Sequence, residues 1–173
     1  MFIMRPISWL LAVFWLTTSP LAIADPSGSF SIYLTRHAEK TSLQDNPGLT
    51  TCGQQRALYL GQWLARQQPQ IEAIYSTDYR RTLDTAAASA EILQLSVQHY
   101  DPRQLPQFAE RLLAAKQTAL VVGHSNTTPQ LAFLLSDQQA SPIDHDEFGR
   151  IYRLDVGKER VVLTEVAMAF TCN

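Results

Sequence analysis

Three short apolar runs in this sequence end alike. Ile32-Tyr-Leu-Thr-Arg36-His37 finishes on two cationic or nucleophilic groups. Ala73-Ile-Tyr-Ser76-Thr-Asp-Tyr-Arg80-Arg81 runs into a segment that opens with arginines, and Ala119-Leu-Val-Val-Gly123-His124-Ser-Asn ends in glycine and histidine. Runs of this length read as strands, and longer segments of helical period separate them, the pattern of an α/β fold. In open α/β sheets, ligands sit beyond the carboxyl ends of the strands. Any fold that satisfies the pattern therefore brings three sets of Arg and His side chains to one edge. Two of the runs also lead into helix N-termini, where free N–H groups favour anions.

Periodicity and turn residues supply the remaining elements. The first strand is expected over 30–35. Thr51-Cys-Gly-Gln54 can cap a helix that carries Ala57, Leu60, Gly61 and Leu64 and stops before Pro69. A second strand near 71–75 precedes Asp78, a good N-cap, and a helix with Leu83, Ala86, Ala87 and Ala90 on one face. A strand near 96–100, a helix near 104–116, a strand over 118–122 and a helix beginning at Thr128-Pro129 follow, with Pro suited to the first position. Strands over 150–156 and 160–167, joined at Gly157-Lys158, close the chain. The expected fold class is α/β: a three-layer α/β/α sandwich around a mixed, mostly parallel central sheet. Met168 and Phe170 are assigned to the core.

A chain of 173 residues suggests one domain. Residues 1–24 read as a cleaved signal peptide: Arg5, an apolar run over 7–16, then Ala22-x-Ala24. This predicts a domain over 25–173, a periplasmic or secreted location, and no stable membrane insertion after cleavage. Loss of Arg5 takes the formal charge from -2 to about -3, a mild acidity that gives no support to nucleic-acid binding. The two cysteines, Cys52 and Cys172, would enter an oxidising compartment, so either a disulfide or two free thiols fits. No His or Cys spacing matches a metal site, and no cofactor or metal is expected.

A pocket with two imidazoles and two guanidiniums suits one anion, since the guanidinium fork matches phosphate oxygens. A neutral imidazole attacks phosphorus, and the surrounding donors stabilise the transition state. Leu34-Thr-Arg36-His37-Ala-Glu39-Lys resembles the Arg-His-Gly/Ala signature of the histidine phosphatase (phosphoglycerate mutase-like) superfamily, branch 1. Asn46-Pro-Gly-Leu49-Thr50, Tyr75 to Ala86, and Val122-Gly123-His124-Ser125-Asn126-Thr127 resemble the segments that follow it. The resemblance implies a phosphoglycerate mutase-like fold, His37 as nucleophile, Arg36 and Arg81 as phosphate clamps, and His124 as donor to the phosphoryl oxygens. Arg81 rather than Arg80 is implied because it stands four residues before Thr85. The family's usual Glu acid is missing, which leaves Asp101, in an Asp-Pro turn, as candidate, with Glu39 and Glu147 as further ones. Ser76, Glu39 and Ser125 are candidate substrate contacts. His99 and His145 receive no role.

The leading expectation is a metal-independent phosphatase acting on a phosphomonoester or phosphohistidine through a phosphohistidine on His37. Its partner is a small phosphorylated molecule, with an envelope sugar phosphate as one class. The alternatives are a phosphoglycerate mutase-type phosphomutase and a non-catalytic binder of phosphorylated envelope components. The sequence leaves the oligomeric state unknown.

Overall fold

Alternating side chains along the strands send apolar groups to both faces of a sheet, which only two helical layers can cover. The computed structural model describes residues 28–42 and 45–172, so the expected signal peptide lies outside the described residues. Ten elements follow one another: β1 (Phe30–Arg36), α1 (Thr51–Leu64), β2 (Ala73–Ser76), α2 (Arg80–Leu93), β3 (Val97–His99), α3 (Leu105–Ala115), β4 (Ala119–Gly123), α4 (Thr127–Ser136), β5 (Arg150–Val156) and β6 (Val161–Ala167). The strand order is β3-β2-β4-β1-β5-β6. The first four strands are parallel, and β5 and β6 are antiparallel additions at one side. Ile32, Leu34, Ala119 and Val121 pack with Phe108 and Leu112 of α3 and Leu131 and Leu135 of α4. Tyr33, Ile74, Leu120 and Val122 pack with Leu60 and Leu64 of α1 and Ala86 of α2. This is the expected mixed-sheet, three-layer sandwich. Among the described residues no helix is long and apolar enough to cross a membrane.

Register sets the position of the site. Arg36 lies opposite Gly123 and Ser76 opposite Val122, so β1, β2 and β4 end at one level. The His37 N–H donates to the Gly123 carbonyl at 3.0 Å and ties two of these ends together.

Several local expectations shift. The cap of α1 is Thr50, whose side chain accepts from the Gly53 N–H, one residue before the expected Thr51. A Cβ at Gly53 would stand 2.3 Å from the Glu39 carbonyl oxygen, so a glycine is required where the helix meets the chain beyond β1. The cap of α2 is Tyr79, not Asp78, and has no side-chain cap bond of its own. Asn46 supplies the acceptor instead, taking the Arg80 N–H at 2.6 Å. The buried residues of α2 are Thr82, Thr85, Ala86 and Ser89; of the expected face Ala86 is core and Ala90 packs against it, whereas Leu83 is half-buried and Ala87 exposed. Close helix packing explains this: a Cβ at Gly61 of α1 would lie 3.0 Å from Ser89 Cα, so only small residues fit there. The helix α4 begins at Thr127 and places Pro129 third.

The C-terminal segment is half-buried rather than core. Phe170 lies 5.5 Å from the Tyr59 ring and under the Arg56 guanidinium at 4.9 Å. Cys52 and Cys172 are joined in a disulfide, with Cα atoms 5.6 Å apart.

Candidate active site

Beyond the strand ends lies a cavity of about 440 Å³ whose walls include Arg36, His37, Arg81 and His124. β1 delivers the first pair, β4 delivers His124, and the first turn of α2 delivers Arg81. The two imidazole centroids are 5.8 Å apart with planes at 67°. Thr85 fixes α2 against the nucleophile's strand: its hydroxyl donates to the Arg81 carbonyl at 2.7 Å and accepts the Ala38 N–H at 3.0 Å. A Cβ at Gly123 would meet the Tyr100 hydroxyl at 2.7 Å, so the turn into His124 needs glycine.

His37 is 4% exposed. Its Nδ1 lies 2.8 Å from the Ala38 carbonyl oxygen. A carbonyl only accepts, so Nδ1 carries the proton and Nε2 keeps its lone pair. Burial above all lowers its pKa to about 3; the Ala38 carbonyl opposes this, while Arg36, Arg81 and His124 add to it. His124 is lowered to about 4, by burial first and then by Arg81 and Arg36. Both rings are therefore neutral at ordinary pH.

Among the described residues neither guanidinium is paired with a carboxylate, although Asp146, Glu147 and Glu39 act on Arg36 from farther away. Arg36, 4% exposed, gives one terminal nitrogen to the carbonyls of Asp144, His145 and Glu147 at 2.8, 3.0 and 2.9 Å. Its plane sits 4.2 Å over the Phe148 ring. Arg81 sits 4.6 Å over the Tyr79 ring and holds a terminal nitrogen 3.4 Å from His124 Nδ1. Each leaves a buried Nε–H with no partner among the described residues. Burial lowers the pKa of both arginines, and Arg81 adds to the effect on Arg36. Among the described residues no Asp or Glu side chain lines the cavity. Positive charge in such a place is only partly compensated until an anion enters.

Of the other candidates, Ser125 lines the cavity. Ser76 does not: it is fully buried and donates to the Thr77 carbonyl at 2.9 Å. Glu39 faces away, held by the Arg56 guanidinium at 2.6–3.0 Å. Asp101 is a turn residue bound to Arg103, whose backbone and side chain both donate to it at 3.0 Å. Those bonds lower its pKa, the opposite of what a proton donor needs. Glu147 is engaged by Arg150 at 2.6 and 3.1 Å. Arg80 turns outward towards Asp84, as its place beside Arg81 implied. Glu39, Cys52 and Cys172 form a group of potential metal ligands. The disulfide and Arg56 occupy those atoms, and none of the three lines the cavity.

Sequence reasoning missed other members of the site. His145, assigned no role, lines the cavity with Lys40, Tyr79, Arg103 and Asn126. Thr77 stands 3.1 Å from His124 Nε2. It is the residue after Ser76, and a shift of one position along the strand end would have found it.

The family model of the histidine phosphatase superfamily (branch 1) matches residues 32–111. No curated protein sequence matches the chain. The protein histidine phosphatase SixA, solved with tungstate, superposes with a TM-score of 0.66 at 17% identity, over 80% of this chain and 97% of that one. A Nakamurella multipartitia protein described as a phosphohistidine phosphatase SixA gives 0.64 at 23%, over 84% and 100%. Mycobacterial glucosyl-3-phosphoglycerate phosphatase gives 0.64 at 14%, over 83% and 100%. At these identities the superpositions show a shared fold.

Proposed function

The chain belongs to branch 1 of the histidine phosphatase superfamily, and from that premise we propose a metal-independent phosphatase that works through a phosphohistidine on His37. The observation that carries this reading is the neutral His37 ring with a free Nε2 lone pair, set between two guanidiniums whose buried Nε–H groups lack a partner among the described residues. Arg36 and Arg81 clamp the phosphoryl oxygens, and the entering anion supplies the acceptors that their buried Nε–H groups lack. Nε2 of His37 attacks phosphorus in line with the leaving oxygen, and His124 supports the transition state. Water then hydrolyses the N–P bond.

The substrate is a phosphomonoester or phosphohistidine. An envelope sugar phosphate suits the periplasmic or secreted location that the N-terminal sequence predicts. The structurally similar proteins bear names of a protein histidine phosphatase and a sugar-acid phosphatase, and both classes fall within this proposal. Incubation with a radiolabelled aryl phosphate should leave a label that is acid-labile and alkali-stable. His37→Ala should abolish both the label and phosphate release, with EDTA without effect on the wild type. Wild-type turnover by His37→Ala would end the proposal.

A further inference from the structure

Asp101, Glu39 and Glu147 are all bound elsewhere and, among the described residues, no carboxylic acid lines the cavity; a buried hydroxyl chain points to what replaces it. His124 Nε2 lies 3.1 Å from Thr77 Oγ1, and Thr77 Oγ1 lies 2.9 Å from Thr82 Oγ1. Thr82 Oγ1 in turn lies 2.7 Å from the Tyr79 carbonyl and 3.0 Å from the Thr77 carbonyl. Both threonines are fully buried. The two ends fix every proton in between. A carbonyl only accepts, so the single Thr82 hydroxyl proton goes there, and Thr82 Oγ1 must accept from Thr77. Thr77 has then given its only proton and must accept from His124 Nε2. At the other side of the ring, an arginine only donates, so Nδ1, 3.4 Å from Arg81, must present its lone pair. The neutral ring is the Nε2–H form, and any second proton enters at Nδ1, on the side of Arg81 in the cavity wall.

We propose that Thr77 and Thr82 are positioning residues that pin one proton on His124 Nε2 and so make Nδ1 the atom that carries the leaving group's proton. The inference rests on the phosphatase reading above. A monoanionic phosphomonoester gives its proton to Nδ1 as it binds. When His37 Nε2 forms the N–P bond and the bond from phosphorus to the leaving oxygen breaks, that proton passes from Nδ1 to the leaving oxygen, and His124 returns to the neutral Nε2–H form. Water next attacks phosphorus; the N–P bond breaks, its electron pair returns to His37 Nε2, and both protons of the water leave with inorganic phosphate, so Nδ1 acts only on the leaving group. Burial and two guanidiniums hold His124 at about 4 in the empty cavity, so the imidazolium gives up its proton as readily as a carboxylic acid.

Thr77→Val removes the hydroxyl and keeps the shape. The full-length chain should lose about 10- to 100-fold in kcat on an alkyl phosphate, whose leaving oxygen needs a proton. It should lose less than about threefold on 4-nitrophenyl phosphate, which leaves unaided. KM should stay near wild type on both, and Thr77→Ser should restore the alkyl rate. Thr82→Val should show the same pattern at smaller size. In ¹⁵N-histidine NMR, wild-type His124 should be the Nε2–H form at neutral pH. Equal losses on both substrates, no loss on either, or a wild-type His124 in the Nδ1–H form would each overturn the inference. If Thr77→Val does not fold, Thr82→Val and the wild-type spectrum decide. A protein that forms no phosphohistidine and releases no phosphate would instead overturn the phosphatase reading, and the spectrum would still report the tautomer.

Discussion

Arg36 and Arg56 are the same side chain in nearly the same setting, put to opposite uses. Both are buried, at 4% and 9% exposure. Both stack on a phenylalanine, Phe148 at 4.2 Å and Phe170 at 4.9 Å. Both donate to backbone carbonyls of a later segment. They differ in counter-charge. Arg56 holds the Glu39 carboxylate with two nitrogens and is electrically complete. Arg36 bonds carbonyls only, feels Asp146, Glu147 and Glu39 without pairing with any of them, and keeps a buried Nε–H without a partner among the described residues. One corner of the molecule is finished and holds the C-terminal segment against α1. The other waits for an anion.

The comparison breaks most readily by deleting each arginine in turn. Arg36→Met should lower kcat/KM on an aryl phosphate by about 10²–10³-fold, the usual cost of losing one preorganised donor to a developing oxyanion. Its melting temperature should hold or rise, because a buried cation without an ion pair has gone. Arg56→Met should do the reverse. It leaves Glu39 partly buried and alone, at a cost of about 3 kcal/mol, or about 6–12 °C for a domain of this size. Its kcat should stay near wild type. If stability followed Arg36 and activity followed Arg56, the division between the two corners would be wrong.

Proton linkage sharpens the same contrast. The folded pKa values of His37 and His124 are lowered to about 3 and about 4, against about 6.5 in the unfolded chain. Between those limits the unfolded state binds protons that the folded state refuses, so stability rises with pH there. At pH 7 both forms are neutral and nothing is lost. As pH falls from about 6.5 towards 4, stability should fall by about 1.4 kcal/mol per unit for each ring. Melting scans against pH should show a shallower acid slope in a His37→Asn, His124→Gln double variant. An identical slope in wild type and variant would contradict the lowered values.

Reduction probes the finished corner. The bridge spans 120 residues of sequence, and opening such a loop costs about 2–4 kcal/mol. Dithiothreitol should lower the melting temperature while turnover at room temperature changes little. A large loss of activity without a loss of stability would mean that the bridge acts on His37 through Glu39.

The sequence showed the reactive corner better than the finished one. Arg36, His37 and His124 announce themselves because each sits where an apolar run stops, Arg81 because it opens the helix after such a run, and strand register brings the ends of β1, β2 and β4 to one level. Glu39 was misread because its partner, Arg56, lies in α1, 17 residues on, and a carboxylate two places after the nucleophile looks free on paper. The inner face of α2 was half legible: Ala86 and Ala90 lie on it, but hydrophobicity favours Leu83, whereas the close approach of α1 at Gly61 admits only small side chains. Thr77 stayed hidden because its value lies in a chain of hydroxyls closed by a carbonyl, which no spacing rule describes.

Asp101 gives the smallest expected effect and the sharpest negative test. Its place after the third strand made it the natural candidate for the missing acid. Its surroundings argue otherwise: Arg103, two residues away, holds both carboxylate oxygens, and the same bonds keep the group ionised. An ionised, engaged carboxylate has no proton to give. Arg103 itself is 86% exposed and lines the cavity mouth, so Asp101→Asn would free a mobile guanidinium there rather than remove a catalyst. The expected outcome is a change in kcat of less than about twofold and a slightly lower KM for anionic substrates, since a solvent-exposed pair of this kind contributes little. A loss of kcat greater on an alkyl than on an aryl phosphate would restore Asp101 as the acid and remove the need for a proton on His124.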